Sequence, residues 1–188
     1  SNKNVRSRLM GIPTLISTST ASNASTVSIT SGIDSTYDEY MFVLTDINPT
    51  AAVTLLFQVN ASSQSGYNET ITSTFVNTNH PENDAFADDP AYVTSGDQAQ
   101  GTAFQRIAQS IGTDADNSGV VVLHLFSPSN TTYVKHFYSR SSIHYGTAGN
   151  ASTSFAAGYI NTTSAIDEIQ FKMDSGNFDG VIQMYGIA

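Results

Sequence analysis

The sequence contains no cysteine and no tryptophan. Without thiols, a disulfide framework and every thiolate-ligated zinc or iron–sulfur site are excluded. Charge is scarce as well: Asp, Glu, Lys and Arg make up 12% of the 188 residues, about half the usual share. No apolar run approaches the roughly 18–20 residues that a membrane-spanning helix needs, so no membrane partner is expected. The basic opening stretch lacks the apolar segment of a signal peptide. The chain opens on Ser1, which suggests a removed initiator Met or a processed start. There is no G-x-S-x-G elbow, no Gly-rich phosphate loop and no H-E-x-x-H helix. With no nucleophile or metal motif to assemble, an enzyme is not expected.

What the chain does have is Ser, Thr, Asn and Gly in abundance, with Val, Ile, Tyr and Phe between them. β-branched and aromatic side chains fit a pleated surface better than a helix. One domain is the expectation from length. The charge that exists is unevenly placed. Lys3, Arg6 and Arg8 are three of the seven basic residues, which leaves four basic against sixteen acidic side chains from residue 9 onward, a net of −12. Such an acidic body repels nucleic acid. The basic tip reads as an arm for an acidic protein surface or as a solvated terminus.

The pattern predicts short strands separated by turns. Residues 39–47, "EYMFVLTDI", place Tyr40, Phe42 and Leu44 on one face. Strands are also expected in 52–60, 69–78, 131–140, 153–160, 167–173 and 180–188, and around Val27 and Ile29. "VVVLHLF" at 120–126 is a continuous apolar run of the kind a fully buried strand shows. Residues 103–111 carry helical spacing at Phe104, Ile107, Ala108 and Ile111, but a hairpin over 103–126 suits the short segment better. Residues 79–101 form the longest irregular stretch and hold Glu82, Asp84, Asp88, Asp89 and Asp97; loops of that length tend to be functional or disordered. About ten strands at these spacings predict an all-β fold, an antiparallel β-sandwich or jelly roll. The division predicted is a basic N-terminal arm over 1–20 and a β-sandwich domain over 21–188.

Several clusters invite a chemical reading. Asp34, Asp38, Glu39 and Asp46 crowd residues 34–46. Asp38 and Glu39 are neighbours in extended chain and point to opposite faces, so turn and strand-end roles are expected rather than an acid/base pair. "DADNSG" resembles the first half of a Ca²⁺ loop through Asp114, Asp116 and Ser118. The bidentate acid falls on Leu125 instead, so a hairpin turn is the better reading, with a partial Ca²⁺ site as the alternative and no other cofactor implied. His124 and His136 lie on strands that could bring their rings together, yet no third ligand is spaced for a metal. Tyr37, Tyr67, Tyr92 and Tyr145 stand near turns, where ordinary rim packing is preferred over a sugar platform. Six N-x-S/T triplets begin at Asn23, Asn60, Asn68, Asn130, Asn150 and Asn161; they matter only in a eukaryotic secretory pathway.

Four segments, "SGIDSTYDEYMFVLTDINP", "LHLFSPSNTTYVKHFYSR", "AGYINTTSAIDEIQFKM" and "SGNFDGVIQMYGIA", resemble a family of small proteins of tailed bacteriophages, particularly marine ones, taken to be virion components. The resemblance spans roughly 14–188 and carries no catalytic motif. It implies a phage particle as the context. The expectation that follows is a capsid decoration or cement protein on the outer head surface, with the major capsid protein and further copies of itself, as a trimer, for partners. Lys3, Arg6, Arg8, Leu9, Ile12, Leu15 and Ile16 would form its grip. The alternative is a tail-associated module that recognises a receptor or glycan through loop 79–101.

Overall fold

The computed structural model describes residues 11–146 and 149–188. It is an antiparallel β-sandwich of thirteen strands: β1 (Thr14–Ala24), β2 (Thr26–Ile29), β3 (Glu39–Pro49), β4 (Val53–Ala61), β5 (Ile71–Pro81), β6 (Ala91–Tyr92), β7 (Gln98–Gly101), β8 (Gln105–Ile111), β9 (Gly119–Phe126), β10 (Lys135–Tyr145), β11 (Asn150–Ile160), β12 (Ile166–Met173) and β13 (Phe178–Ile187). Among the described residues no helix is long and apolar enough to cross a membrane.

One large sheet runs β1-β13-β3-β9-β10-β11-β5, with β6 and β7 on the far edge of β5. A smaller sheet runs β8-β4-β12-β2. They join at one corner, where Tyr145 of β10 pairs with Ile111 of β8. The alternation written into β3 is obeyed: Tyr40, Phe42 and Leu44 are fully buried. They meet Val121, Leu123 and Leu125 of β9, Ile182 and Met184 of β13, and Phe57, Ile169 and Phe171 of the small sheet in one core. Phe42 and Phe171 touch across it with ring centres 5.7 Å apart. Phe57 and Phe137 meet edge to face at 5.1 Å.

Four expectations change. Residues 14–20, assigned to the arm, belong to β1, whose Thr14 pairs with Gly186 and Thr20 with Val181. Its "TLISTSTASNA" has no apolar alternation because an edge strand that pairs only with β13 buries little. Segments β8 and β9 are strands but not a hairpin with each other. β8 pairs with β4 and β9 with β3 and β10, because Ile107 and Val121 enter the core from opposite sheets. β9 is not buried on both sides: Val121, Leu123 and Leu125 face the core, whereas Val120 is exposed. Finally, β6 and β7 interrupt loop 79–101 by pairing with Val76–Asn77 and Ile71–Ser73 of β5.

Candidate functional site: the outer face of the large sheet

In the acid-rich segment 34–46, Asp34 makes contacts within its turn and Glu39 with the neighbouring strand. The Asp34 carboxylate accepts from Thr36 N–H at 2.7 Å; hydrogen bonds from the Thr36 side chain and then its N–H hold its pKa below the usual carboxylate value. The Tyr40 hydroxyl accepts from Asp34 N–H at 2.9 Å and donates to the Asp34 carbonyl at 3.0 Å; burial raises its pKa. Asp46 sits at φ 54°, inside a bulge of β3 between Leu44 and Ile47. Glu39 contacts His124 Nδ1.

Asp114–Asn117 folds as a turn, with Asn117 N–H donating to the Asp114 carbonyl at 2.9 Å. Asn48 Nδ2 donates to the Asn117 carbonyl at 2.6 Å. Ser118 instead offers its carbonyl to His144 N–H. Among the described residues no group of three or more His, Asp or Glu is placed to hold a metal ion.

The pleat alternation that buries one side of β3, β9 and β10 turns a second set of residues outward, and antiparallel register aligns them into rows. One row reads Leu15, Tyr185, Met41, His124, Tyr138, Ala157 and Thr74 across seven strands. The next reads Thr18, Gln183, Val43, Val122, Arg140, Phe155 and Val76, and ends on Tyr92 of β6. Arg140 is the single Asp, Glu, Lys or Arg in the two rows, in a chain of net charge −9. Tyr138 is 45% exposed and Phe155 50%. Arg140 lies over the Phe155 ring, 5.7 Å from its centre. His124 stacks on Tyr138 at 4.5 Å, and Phe126 lies 5.5 Å from Tyr138. Seven strands at ~4.8 Å spacing make the face about 29 Å across.

All four histidines stand on this face, because His80 of β5, His124 of β9, and His136 and His144 of β10 all fall on its outward positions. His124 and His136 do not meet. The first stacks on Tyr138, and the second lies 6.1 Å from Tyr159. A hollow lies at each end of the face. The one of 490 Å³ has His80, Glu82 and His144 in its lining; His144 Nε2 is 3.9 Å from Glu82 Oε1. The other, of 560 Å³, is lined by Phe126, Tyr133 and His136 together with uncharged polar groups.

Of the predicted grip, Lys3, Arg6, Arg8 and Leu9 lie outside the described residues. Ile12 and Leu15 are 63% and 51% exposed, and Ile16 packs against the core. Leu15 is therefore part of the face and Ile16 of the fold. The tyrosines named from sequence do not converge: Tyr37 packs edge to face on Tyr40, Tyr67 bonds Glu168, Tyr92 bonds Asp97 and Tyr145 packs against the core. The signal that the sequence did hold was the apolar residues of "VVVLHLF" at outward positions.

No family model matches the chain, and no curated protein matches it. Among solved structures, a human SPRY domain aligns over 90% of this chain and 97% of its own at 8% identity, with a TM-score of 0.17. The infectious bursal disease virus VP2 subviral particle aligns over 95% of this chain and 42% of its own at 11% identity, also with a TM-score of 0.17.

Proposed function

We propose that this chain is a non-enzymatic structural protein of a phage virion, a capsid decoration protein that lies on the outer surface of the head. The observation that supports it is the broad, charge-poor outer face, with exposed Tyr138 and Phe155 near its middle. A broad face with few charges and exposed aromatic rings suits protein docking, and aromatic side chains are the usual anchors of such contacts. The major capsid protein is the partner, and adjacent copies of the chain are neighbours on the lattice. Residues 1–10 carry Lys3, Arg6 and Arg8 and add an electrostatic contact that an acidic body cannot make.

Quantitative densitometry of purified virions against the major capsid protein tests the reading. Hundreds of copies per particle, in simple ratio to that protein, are expected. A dozen or fewer would place the chain on the tail and overturn it. In parallel, the full chain is expected to co-sediment with undecorated heads, and deletion of residues 1–10 to weaken that binding while leaving the thermal midpoint unchanged. Undiminished binding by the truncated chain removes the arm from the docking surface.

A further inference from the structure

Beyond one end of the docking face lies the 560 Å³ cleft of Phe126, Ser127, Asn130, Thr132, Tyr133 and Thr163, within the ~300–1,000 Å³ range of ligand pockets. Its chemistry differs from that of the face. Tyr133 is 70% exposed on the rim, so its ring is open for stacking. Amide and hydroxyl groups of Asn130, Ser127, Thr132 and Thr163 supply hydrogen bonds, and no Asp, Glu, Lys or Arg lines the cleft.

The walls are fixed without a ligand. Lys135 is buried, and its ammonium donates to the Tyr133 carbonyl at 2.9 Å and to the Thr162 carbonyl at 3.1 Å. One cation thus ties the two loops that carry Tyr133 and Thr163. Asn130 Oδ1 accepts from Thr132 N–H at 2.7 Å and Tyr133 N–H at 2.9 Å. Ile166 N–H donates to the Pro128 carbonyl and anchors the loop to β12. Ser127 holds the left-handed conformation at φ 45°, a strained geometry for a non-glycine residue.

From the open aromatic ring, the uncharged donors and acceptors and the pinned walls, we infer that this cleft binds a neutral pyranose at the end of a glycan. The apolar C–H face of such a sugar matches Tyr133, and its hydroxyls match the amide and the three alcohols. An anionic sugar or a phosphate finds no Lys or Arg in the lining; His136 is the one basic side chain there, and comparison with an anionic sugar tests whether it matters. A rigid cleft loses little entropy on binding. This site does not depend on where in the particle the chain sits.

Saturation-transfer-difference NMR on the full chain tests it, with methyl glycosides of glucose, galactose, mannose and N-acetylglucosamine at millimolar concentration and glucuronate as the anionic comparison. At least one neutral glycoside is expected to receive saturation. Tyr133→Ala should weaken it about tenfold, as loss of a stacked ring does, and Phe155→Ala, on the open face away from the cleft lining, should not. Tyr133 is exposed, so the variant keeps the wild-type thermal midpoint. Silence from all neutral glycosides, a preference for glucuronate, or signal unchanged in Tyr133→Ala each overturns the inference. Head binding by Tyr133→Ala is measured beside it, so a failure here is separable from a failure of the docking reading.

Discussion

The two sheets turn unlike faces to the outside. On the small sheet, outward polar groups are buried by covering loops and bonded. Gln58 is fully buried; its Nε2 donates to the carbonyls of Glu69 and Ala103 at 3.0 Å each, and its Oε1 accepts from Val59 N–H. Asn60 Nδ2 donates to Glu168 at 2.7 Å, as does the Tyr67 hydroxyl at 3.0 Å. Lys172 lies 4.4 Å from the Phe104 ring centre. On the large sheet, the corresponding positions hold Val43, Val122, Tyr138 and Phe155, of which Tyr138 and Phe155 are exposed. A face whose polar groups are already paired gains nothing from a partner, while exposed aromatic rows gain by leaving water. The difference teaches that one sheet pairs its outward polar groups within the chain, while the other leaves aromatic rings in contact with water.

The comparison breaks most readily at Gln58. Gln58→Ala removes the bonds to the Glu69, Thr102 and Ala103 carbonyls and opens a void at a fully buried position, so it is expected to cost about 3 kcal/mol of stability, read from the urea midpoint. On the large face the outcome reverses. The pair Tyr138→Ala and Phe155→Ala should lower affinity for undecorated heads by about thirtyfold, roughly 2 kcal/mol, and cost less than about 1 kcal/mol of stability because both rings already meet water. Equal losses of stability at Gln58 and at this pair would erase the distinction.

A smaller effect belongs to Asp34. Its pKa is lowered mainly by the Thr36 hydrogen bonds, so its contribution is present above the unfolded-state value and is lost as pH falls through the lowered folded-state value. The carboxylate is exposed and screened, so Asp34→Asn should cost under about 1 kcal/mol at neutral pH and nothing once the wild-type acid is protonated. Urea unfolding of both proteins at several acidic pH values reads the convergence.

The smallest effect concerns the inner side of the large sheet. Ser139, Ser152 and Ser154 are buried, and their hydroxyls have no partner among the described residues. Ser154→Ala removes an unpaired polar atom and should change stability by no more than about 0.5 kcal/mol, in the stabilising direction. A loss near 2 kcal/mol would mean that the hydroxyl is bonded, through water, after all.

Much of the fold was legible because it rests on local alternation. Tyr40, Phe42 and Leu44 declare which side of β3 is inside, and the turn chemistry of Asp34 and Asp114 declares where chains reverse. β1 was hidden because Thr and Ser along an edge strand carry no burial signal. β8 was ambiguous because Ile107 and Ala108 are both buried, at a bulge against Leu55 and Leu56 of β4. The face itself was illegible for a different reason. Val43 meets Gln183 and Val122 only through the pairing of β3 with β13 and β9. Those strands lie far apart in the chain, and strand order is not a local property. The cleft was missed because Tyr133 follows the strand-like pattern of its neighbours, and nothing near it signals that Lys135 bonds back to its carbonyl.

The register shifts of β1, between Leu15 and Ser17 and between Ala21 and Ala24, have a consequence for association. Among the described residues β1 pairs only with β13, so it is an edge strand, and a long straight edge invites a strand of another chain to add to it. The two irregularities bend that edge and cut short the run a second strand could follow. Copies of the chain are thereby steered away from edge-to-edge aggregation.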